Sequence, residues 1–157
     1  MSVKDVNLIG NQIYSERRMA QPKLLKSKEE TIAAVNIMNI KTLKDENFIF
    51  AIELSSKIII FSCNTNMRFL CGSETIYMDG TFSYCAQYFK QFVTIHVFIN
   101  GHYIPLCYCL LPDKSEQTYI KLFNVLKRKC KVIGLKFNPK IIFSDFEIAI
   151  YPQCCAF

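Results

Sequence analysis

The chain has 157 residues, of which 51% are apolar and 13% are aromatic. This length suits one domain, and the apolar content is enough for a packed core, which excludes a disordered or low-complexity chain. The formal net charge of +6 is compatible with a polyanionic partner but is too small to establish one.

The eight cysteines could indicate disulfides or a metal site, but the surrounding sequence favours neither. The opening MSVKDVNLIG lacks the apolar core of a signal peptide, so we expect a chain that is not secreted and whose thiols stay reduced. No C-x-x-C pair occurs, and only His96 and His102 could complete a zinc site. We interpret the cysteines as core thiols, with Cys107 and Cys109 facing the same way in one strand. No apolar run approaches the roughly 18 residues of a membrane span, so no membrane partner is expected.

Residues 1–56 are predicted to be a linker and helical segment that precedes the main domain at 57–157. Ser27 and Glu30 form a capping-box pattern, which predicts a short helix. Apolar alternation from Phe48 to Leu54 resumes at Ile58–Phe61 after a polar break, which predicts a hairpin. The following NTNMRFL predicts a helical turn.

Three strands connected by tight links are predicted next, at Ile76–Phe82, Phe92–Ile99 and Tyr103–Leu111. Asn100-Gly101 joins the last two, because both residues of this pair tolerate positive φ. Both faces of the middle strand are mostly apolar, so we expect both to be covered, with His96 as a hydrogen-bonded core histidine rather than a catalyst. Pro105 cannot donate to a ladder, which predicts that the third strand lies at the sheet edge.

The period then changes, and a helix is predicted from about Ser115 to Ile133, capped by Asp113 or Ser115 and ended by Gly134. Cations gather in its last turns at Lys127, Arg128, Lys129 and Lys131. We interpret them first as a solvated helix end and second as DNA contacts. A fourth strand is predicted at Lys140–Phe146.

Asp79 and Asp145 each stand in one of these apolar strands. A right-handed crossover through the helix can place the fourth strand beside the first, in the sheet order 3-2-1-4, which would put the two acids side by side. Adjacent carboxylates repel each other unless a cation lies between them, and hard oxygen ligands suit Mg²⁺ or Mn²⁺. The alternative, equally favoured by the spacing, is that Asp79-Gly80 turns the chain and Asp145 caps a helix.

Several motifs in fixed order resemble the transposase domain of Mutator-like elements, the MULE type. They are D-G-T-F at 79–82, Q-x-x-T-I-H from Gln91 to His96, Pro105-Leu106, L-P-x-K before the helix, and S-D-F-E at 144–147. The similarity runs from about Ile58 to Tyr151.

The resemblance implies an α/β ribonuclease H-like mixed sheet, incomplete at its C-terminal side, in which three acids bind two metal ions and cut and join DNA. Asp79 matches the first acid and Asp145 the second, so both are implied to be catalytic and to bind Mg²⁺ or Mn²⁺. The family's third acid lies farther downstream, and Glu147 is not a match for it. The resemblance also implies DNA as the partner and the nucleus, otherwise the cytoplasm, as the location, and it leaves homo-oligomers open.

Three functions follow from this resemblance. The first is a metal-dependent DNA transposase domain that lacks its third acid and is inactive alone. The second is a domesticated, non-catalytic remnant that binds DNA or protein. The third is the product of a degenerate element copy with no selected role.

Overall fold

The computed structural model describes residues 25–81 and 85–144, which form an α/β architecture with a mixed, open sheet of six strands and three helices. In chain order the elements are α1 (Lys28–Ile37), β1 (Ile49–Glu53), β2 (Ile58–Phe61), α2 (Asn64–Gly72), β3 (Thr75–Thr81), β4 (Gln91–Ile99), β5 (His102–Leu111), α3 (Glu116–Val132) and β6 (Ile141–Ser144). The strands are ordered β1-β2-β5-β4-β3-β6. β6 runs parallel to β3, and the other neighbouring pairs are antiparallel.

The last four strands of that order are the four predicted from the central and C-terminal sequence. β6 follows α3 and lies beside β3, parallel to it, as the crossover argument expects. β1 and β2 form the predicted hairpin and extend the sheet beyond β5. The expected domain boundary at 56–57 falls in the turn of this hairpin. Phe82, Asp145 and Phe146, which complete two of the predicted strands, lie outside the described residues.

The prediction that Pro105 places its strand at the sheet edge is wrong, since β5 pairs with β4 on one side and with β2 on the other. β2 contacts β5 only at Tyr108–Leu110, beyond the proline. On the β4 side, Ile95 is aligned with Cys107 and His96 with Pro105, so Leu106 is an extra residue at an irregularity. The missing N–H of Pro105 therefore falls at a bulge-like site in a half of β5 that β2 does not reach.

The two faces of the sheet are covered unequally. α2 and α3 pack on one face in the main core, which contains Ile76, Met78, Val93, Ile95 and Tyr119 among others. α1 packs on the other face through Ile32 and Val35, over Ile59 and Leu110. This second cluster lies over the β1-β2-β5 side of the sheet and the start of β4.

The expectation that both faces of β4 are covered therefore holds for one face only. Val93, Ile95 and Val97 are at most 1% exposed, whereas Phe98 on the opposite face is 52% exposed. The physical reason is that α1 lies over another part of the sheet. We call this uncovered region, formed by Tyr77, Asp79, His96, Phe98, Tyr103 and Phe143, the open face.

Local chemistry fixes the ends of several elements. Ser27 Oγ accepts from the Glu30 N–H at 3.1 Å, and the Glu30 carboxylate accepts from the Lys26 N–H at 2.7 Å, a variant of the predicted capping box. Asn100 and Gly101 have φ of 50° and 81°, the positive values that the tight β4–β5 turn requires. Gly134, with φ of 74°, follows α3 where the sequence predicts its end.

The six cysteines within the described part of the chain are free thiols. Cys107 and Cys109 are both buried, and their Sγ atoms lie 3.7 Å apart on one face of β5, as their spacing predicts. Among the helices of the described residues, none combines the length and apolar character needed to cross a membrane.

Candidate functional site

Asp79 lies on the open face because β3 alternates. Ile76 and Met78 are buried in the main core, whereas Tyr77 and Asp79 point to the opposite side, where Asp79 is exposed. An apolar strand can carry this acid because the carboxylate lies outside the core. Asp79 has no ion-pair partner within residues 25–81 and 85–144, so its oxygens are available to a ligand.

A groove of about 480 Å³ runs along the open face beside Asp79. Its lining includes Tyr77, Asp79, His96, Tyr103, Phe143 and Ser144, which come from β3, β4, β5 and β6. The groove thus reaches the last described residue of β6, the residue that precedes Asp145. Asp145 itself lies outside the described residues.

Aromatic rings form most of the apolar part of this groove. Tyr77 stacks on Phe143 with ring centroids 5.1 Å apart and planes 10° apart, and it meets Tyr103 edge-on at 4.8 Å. The ring centroids of Phe98 and Tyr103 are 4.9 Å apart. Tyr103 and Phe143 are 60% and 54% exposed, so a row of rings faces outward on the same side as the candidate acid.

His96 joins this site rather than the core. Its Nε2 lies 2.7 Å from Thr94 Oγ1, whose hydroxyl donates to the Asp79 carbonyl oxygen at 3.3 Å. Thr94 therefore accepts from the Nε2–H, which leaves Nδ1 as the lone-pair nitrogen of the ring. Within the described residues this Nδ1 is buried and has no hydrogen-bond partner.

Burial lowers the pKa of His96, and the negative charge of Asp79 opposes this shift in part. The imidazole is therefore neutral at pH 7 and carries a lone pair. The hydrogen bond of His96 agrees with the expectation from the sequence, but its half-buried position in the groove does not.

The four cations predicted as second-choice DNA contacts lie on the other side of the sheet from Asp79. Lys127, Arg128, Lys129 and Lys131 are on α3, which packs on the main core. Arg128 forms an ion pair with Glu53, and this hydrogen bond lowers the pKa of Glu53. Lys129 lines a recess along β1. The cluster and the groove therefore do not form one continuous surface.

No group of three or more His, Cys, Asp or Glu side chains comes together as a metal site in the part of the chain that the structure describes. Within that part, Asp79 is the exposed oxygen ligand at the groove, whereas His96 lines the groove with its Nδ1 buried. His96 was not predicted to lie at the site, and Tyr77, Tyr103 and Phe143 were not predicted to form a cluster. Comparisons with protein-family models, with curated proteins and with solved structures found no match for this chain.

Proposed function

We propose that the chain is part of a Mutator-like DNA transposase catalytic domain with a ribonuclease H-like fold. In this proposal Asp79 and Asp145 hold a Mg²⁺ or Mn²⁺ ion, DNA is the substrate and the nucleus is the location. The order of motifs in the sequence suggests the family, and the sheet supports it with a parallel strand beside the one that carries Asp79.

The register of β3 and β6 carries the proposal. Thr75 is aligned with Ile141, Ile76 with Ile142, Tyr77 with Phe143 and Met78 with Ser144. In the sequence an aspartate follows each residue of the last aligned pair, Asp79 after Met78 and Asp145 after Ser144. Parallel strands in register bring such residues side by side, which is the arrangement that two carboxylates sharing a metal require.

The groove suits a divalent ion at Asp79 in its donor chemistry. An exposed carboxylate without an ion pair in the described chain is a hard oxygen ligand, the kind that Mg²⁺ and Mn²⁺ prefer. Asp79 supplies one side-chain ligand, so Asp145 and water must supply the rest. When bound, such an ion would neutralise the two carboxylates and polarise a phosphodiester oxygen.

The proposal includes no cleavage by this chain alone. Two-metal phosphoryl transfer needs both the attacking and the leaving oxygen to be stabilised, and the sequence contains no match to the third acid of the family. The second ion would therefore lack a ligand. Even a group misplaced by about 1 Å can cost ~100-fold in rate.

Isothermal titration of the whole chain with Mn²⁺ tests the proposal. Weak binding is expected for the unaltered chain, and Asp79→Asn or Asp145→Asn should each weaken it by about tenfold or more, since each replaces a charged carboxylate ligand with a neutral amide. Asp45→Asn is the matched control: Asp45 is an exposed aspartate with φ of 62°, which asparagine tolerates, and it pairs with Lys41. Equal Mn²⁺ binding by the unaltered chain and Asp79→Asn would refute a role for Asp79.

A second candidate function is that of a non-catalytic remnant that binds DNA or protein. The exposed aromatic row favours it, because large exposed rings are unusual on a surface without a partner and can stack on nucleobases or pack in an interface. This function requires no metal. It is favoured if Tyr103→Ala abolishes binding to single-stranded DNA while Asp79→Asn changes neither DNA binding nor Mn²⁺ uptake.

A further inference from the structure

Two thiols from distant parts of the sequence meet beneath the sheet. Cys71 is the next-to-last residue of α2, and Cys130 lies near the end of α3. Their Sγ atoms are 3.6 Å apart although the residues are 59 positions apart in the chain. The contact therefore joins the ends of the two helices that cover the main core.

The two thiols differ in access and in acidity. Cys71 is partly exposed, whereas Cys130 is buried. The hydrogen bond between them lowers the pKa of Cys71 and raises that of Cys130. Cys71 is thus the thiol that solvent reaches and that ionises first, and the thiolate is the reactive form.

We propose that Cys71 and Cys130 form a reversible dithiol–disulfide site that responds to peroxides. The Cys71 thiolate attacks a peroxide oxygen, breaks the O–O bond and becomes a sulfenic acid, and the released oxygen leaves as water after taking a proton. The Cys130 sulfur then attacks the Cys71 sulfur, the S–O bond breaks, and the hydroxide leaves with the Cys130 proton as a second water. Two thiols are oxidised and one peroxide is reduced.

The geometry allows this step with a small movement. A disulfide needs the sulfurs about 2.05 Å apart, so the observed 3.6 Å must close by roughly 1.5 Å. Cys71 lies in the last turn of its helix, where backbone hydrogen bonds are incomplete and the chain adjusts most readily.

Cys107 and Cys109 provide an internal contrast. Their sulfurs are 3.7 Å apart, nearly the same separation, but both residues are 0% exposed and belong to one strand. The hydrogen bond with Cys109 and, after it, burial raise the pKa of Cys107. This second pair is therefore closed to solvent, and a peroxide should oxidise the Cys71–Cys130 pair first.

A disulfide here would tie α2 to α3 and restrict the unfolded chain by closing a long loop. Oxidation should therefore raise the thermal unfolding midpoint by several degrees. The pair lies on the opposite side of the sheet from Asp79, so this inference does not depend on the proposed function.

The experiment treats the whole chain with limiting hydrogen peroxide, blocks residual thiols, and maps disulfides by mass spectrometry of non-reduced peptides. We expect a linkage between Cys71 and Cys130 that dithiothreitol reverses, with a higher unfolding midpoint in the oxidised form. Cys71→Ser should abolish both effects. Cys85→Ser, which alters a partly buried thiol outside the pair, should leave both unchanged.

The inference is overturned if peroxide links any other pair first, or if Cys71 accumulates as a sulfinic acid without pairing. It is also overturned if Cys71→Ser shows the same rise in midpoint as the unaltered chain. Cys130→Ala is a second test, but Cys71→Ser suffices because its side chain is partly exposed and its replacement leaves the core filled.

Discussion

Among single residues, Asp79 has a side chain that the fold does not need. Its side chain is exposed on the open face, and its backbone carbonyl accepts a hydrogen bond from the Thr94 hydroxyl. Such a carboxylate contributes little to packing. Its place beside β6 and the groove therefore favours a ligand-binding role over a structural one.

Asp79→Asn should leave the free energy of unfolding within about 0.5 kcal/mol of the unaltered value, since it changes an exposed side chain without an ion pair in the described chain. Urea denaturation monitored by circular dichroism measures this. The alternative that Asp79-Gly80 turns the chain is wrong, because both residues lie within β3 and pair with β4. A loss of several kcal/mol would show that the Asp79 carboxylate stabilises the fold, against the role in ligand binding.

Tyr119 gives the opposite case, a polar group with a structural role. Its hydroxyl donates to the Gln91 Oε1 at 2.8 Å, and both side chains are 0% exposed. Tyr119→Phe should destabilise the fold by about 1–2 kcal/mol, because a buried acceptor loses this donor. The same urea experiment checks it, and an unchanged midpoint would mean that water or another group replaces the hydroxyl.

At the scale of elements, α3 depends on a small network at its start. Ser115 Oγ accepts from the Thr118 N–H at 3.3 Å, and the Asp113 carboxylate accepts from the Ser115 N–H and from the Thr118 hydroxyl. Ser115→Ala should therefore cost about 1 kcal/mol in unfolding free energy.

The same network predicts a pH dependence. The pKa of Asp113 lies below its ordinary value, chiefly because its carboxylate accepts a hydrogen bond from the Thr118 hydroxyl. A lowered pKa in the folded state means that this stabilisation is present above the unfolded-state pKa of about 3.9 and is lost as the pH falls through the folded-state value. Asp113→Asn should be less stable than the unaltered chain at pH 7, and this difference should shrink below about pH 4. A difference independent of pH would exclude the charged cap.

Local chemistry explains which elements the sequence could predict. Helix caps and tight turns depend on residues that are close in the chain, such as Ser27, Ser115 and Asn100-Gly101. The predicted starts of α1 and α3 and the predicted β4–β5 turn are therefore confirmed. The position of β5 was not, because its pairing with β2 joins residues about fifty positions apart, such as Ile59 and Leu110. A proline alone cannot reveal that the second neighbour stops short of it.

For the candidate site, the neighbouring strands were predicted from the sequence, but most of the lining residues were not. The crossover argument placed β6 beside β3, and the structure has this arrangement. The expected tight link between β3 and β4 is wrong, since residues 82–90 separate the two strands. A connection of this length does not fix a register, so the alignment of Tyr77 with His96 could not be predicted from the sequence. His96 and the aromatic row were therefore missed, although the Asn100-Gly101 turn already implied that Phe98 meets Tyr103.

In the whole molecule, the cation cluster of α3 and the groove lie on opposite sides of the sheet, so we expect any DNA binding to depend on the phosphates rather than on the bases. Binding should be independent of sequence and should weaken steeply with added salt, since phosphate contacts dominate such binding. Fluorescence anisotropy with unrelated duplexes at several salt concentrations measures this. A strong preference for one duplex at physiological salt would contradict it.

The chain alone should neither cut nor join DNA. Purified protein with Mg²⁺ or Mn²⁺ and labelled DNA ends, followed by gel analysis, is the assay. Metal-dependent products that disappear in both Asp79→Ala and Asp145→Ala would contradict this expectation, and would mean that Glu147 or an acid from another chain completes the site.

Paramagnetic broadening by Mn²⁺ shows whether Asp79 and Asp145 lie side by side and share a divalent ion, as we propose. In a two-dimensional NMR spectrum of the whole chain, substoichiometric Mn²⁺ should first broaden the amide signals of residues 78–80 and 144–146 together. Signals from α3, on the opposite side of the sheet, should persist. Broadening of only one of the two strands, or equal broadening in Asp79→Asn, would show that the two aspartates do not share an ion.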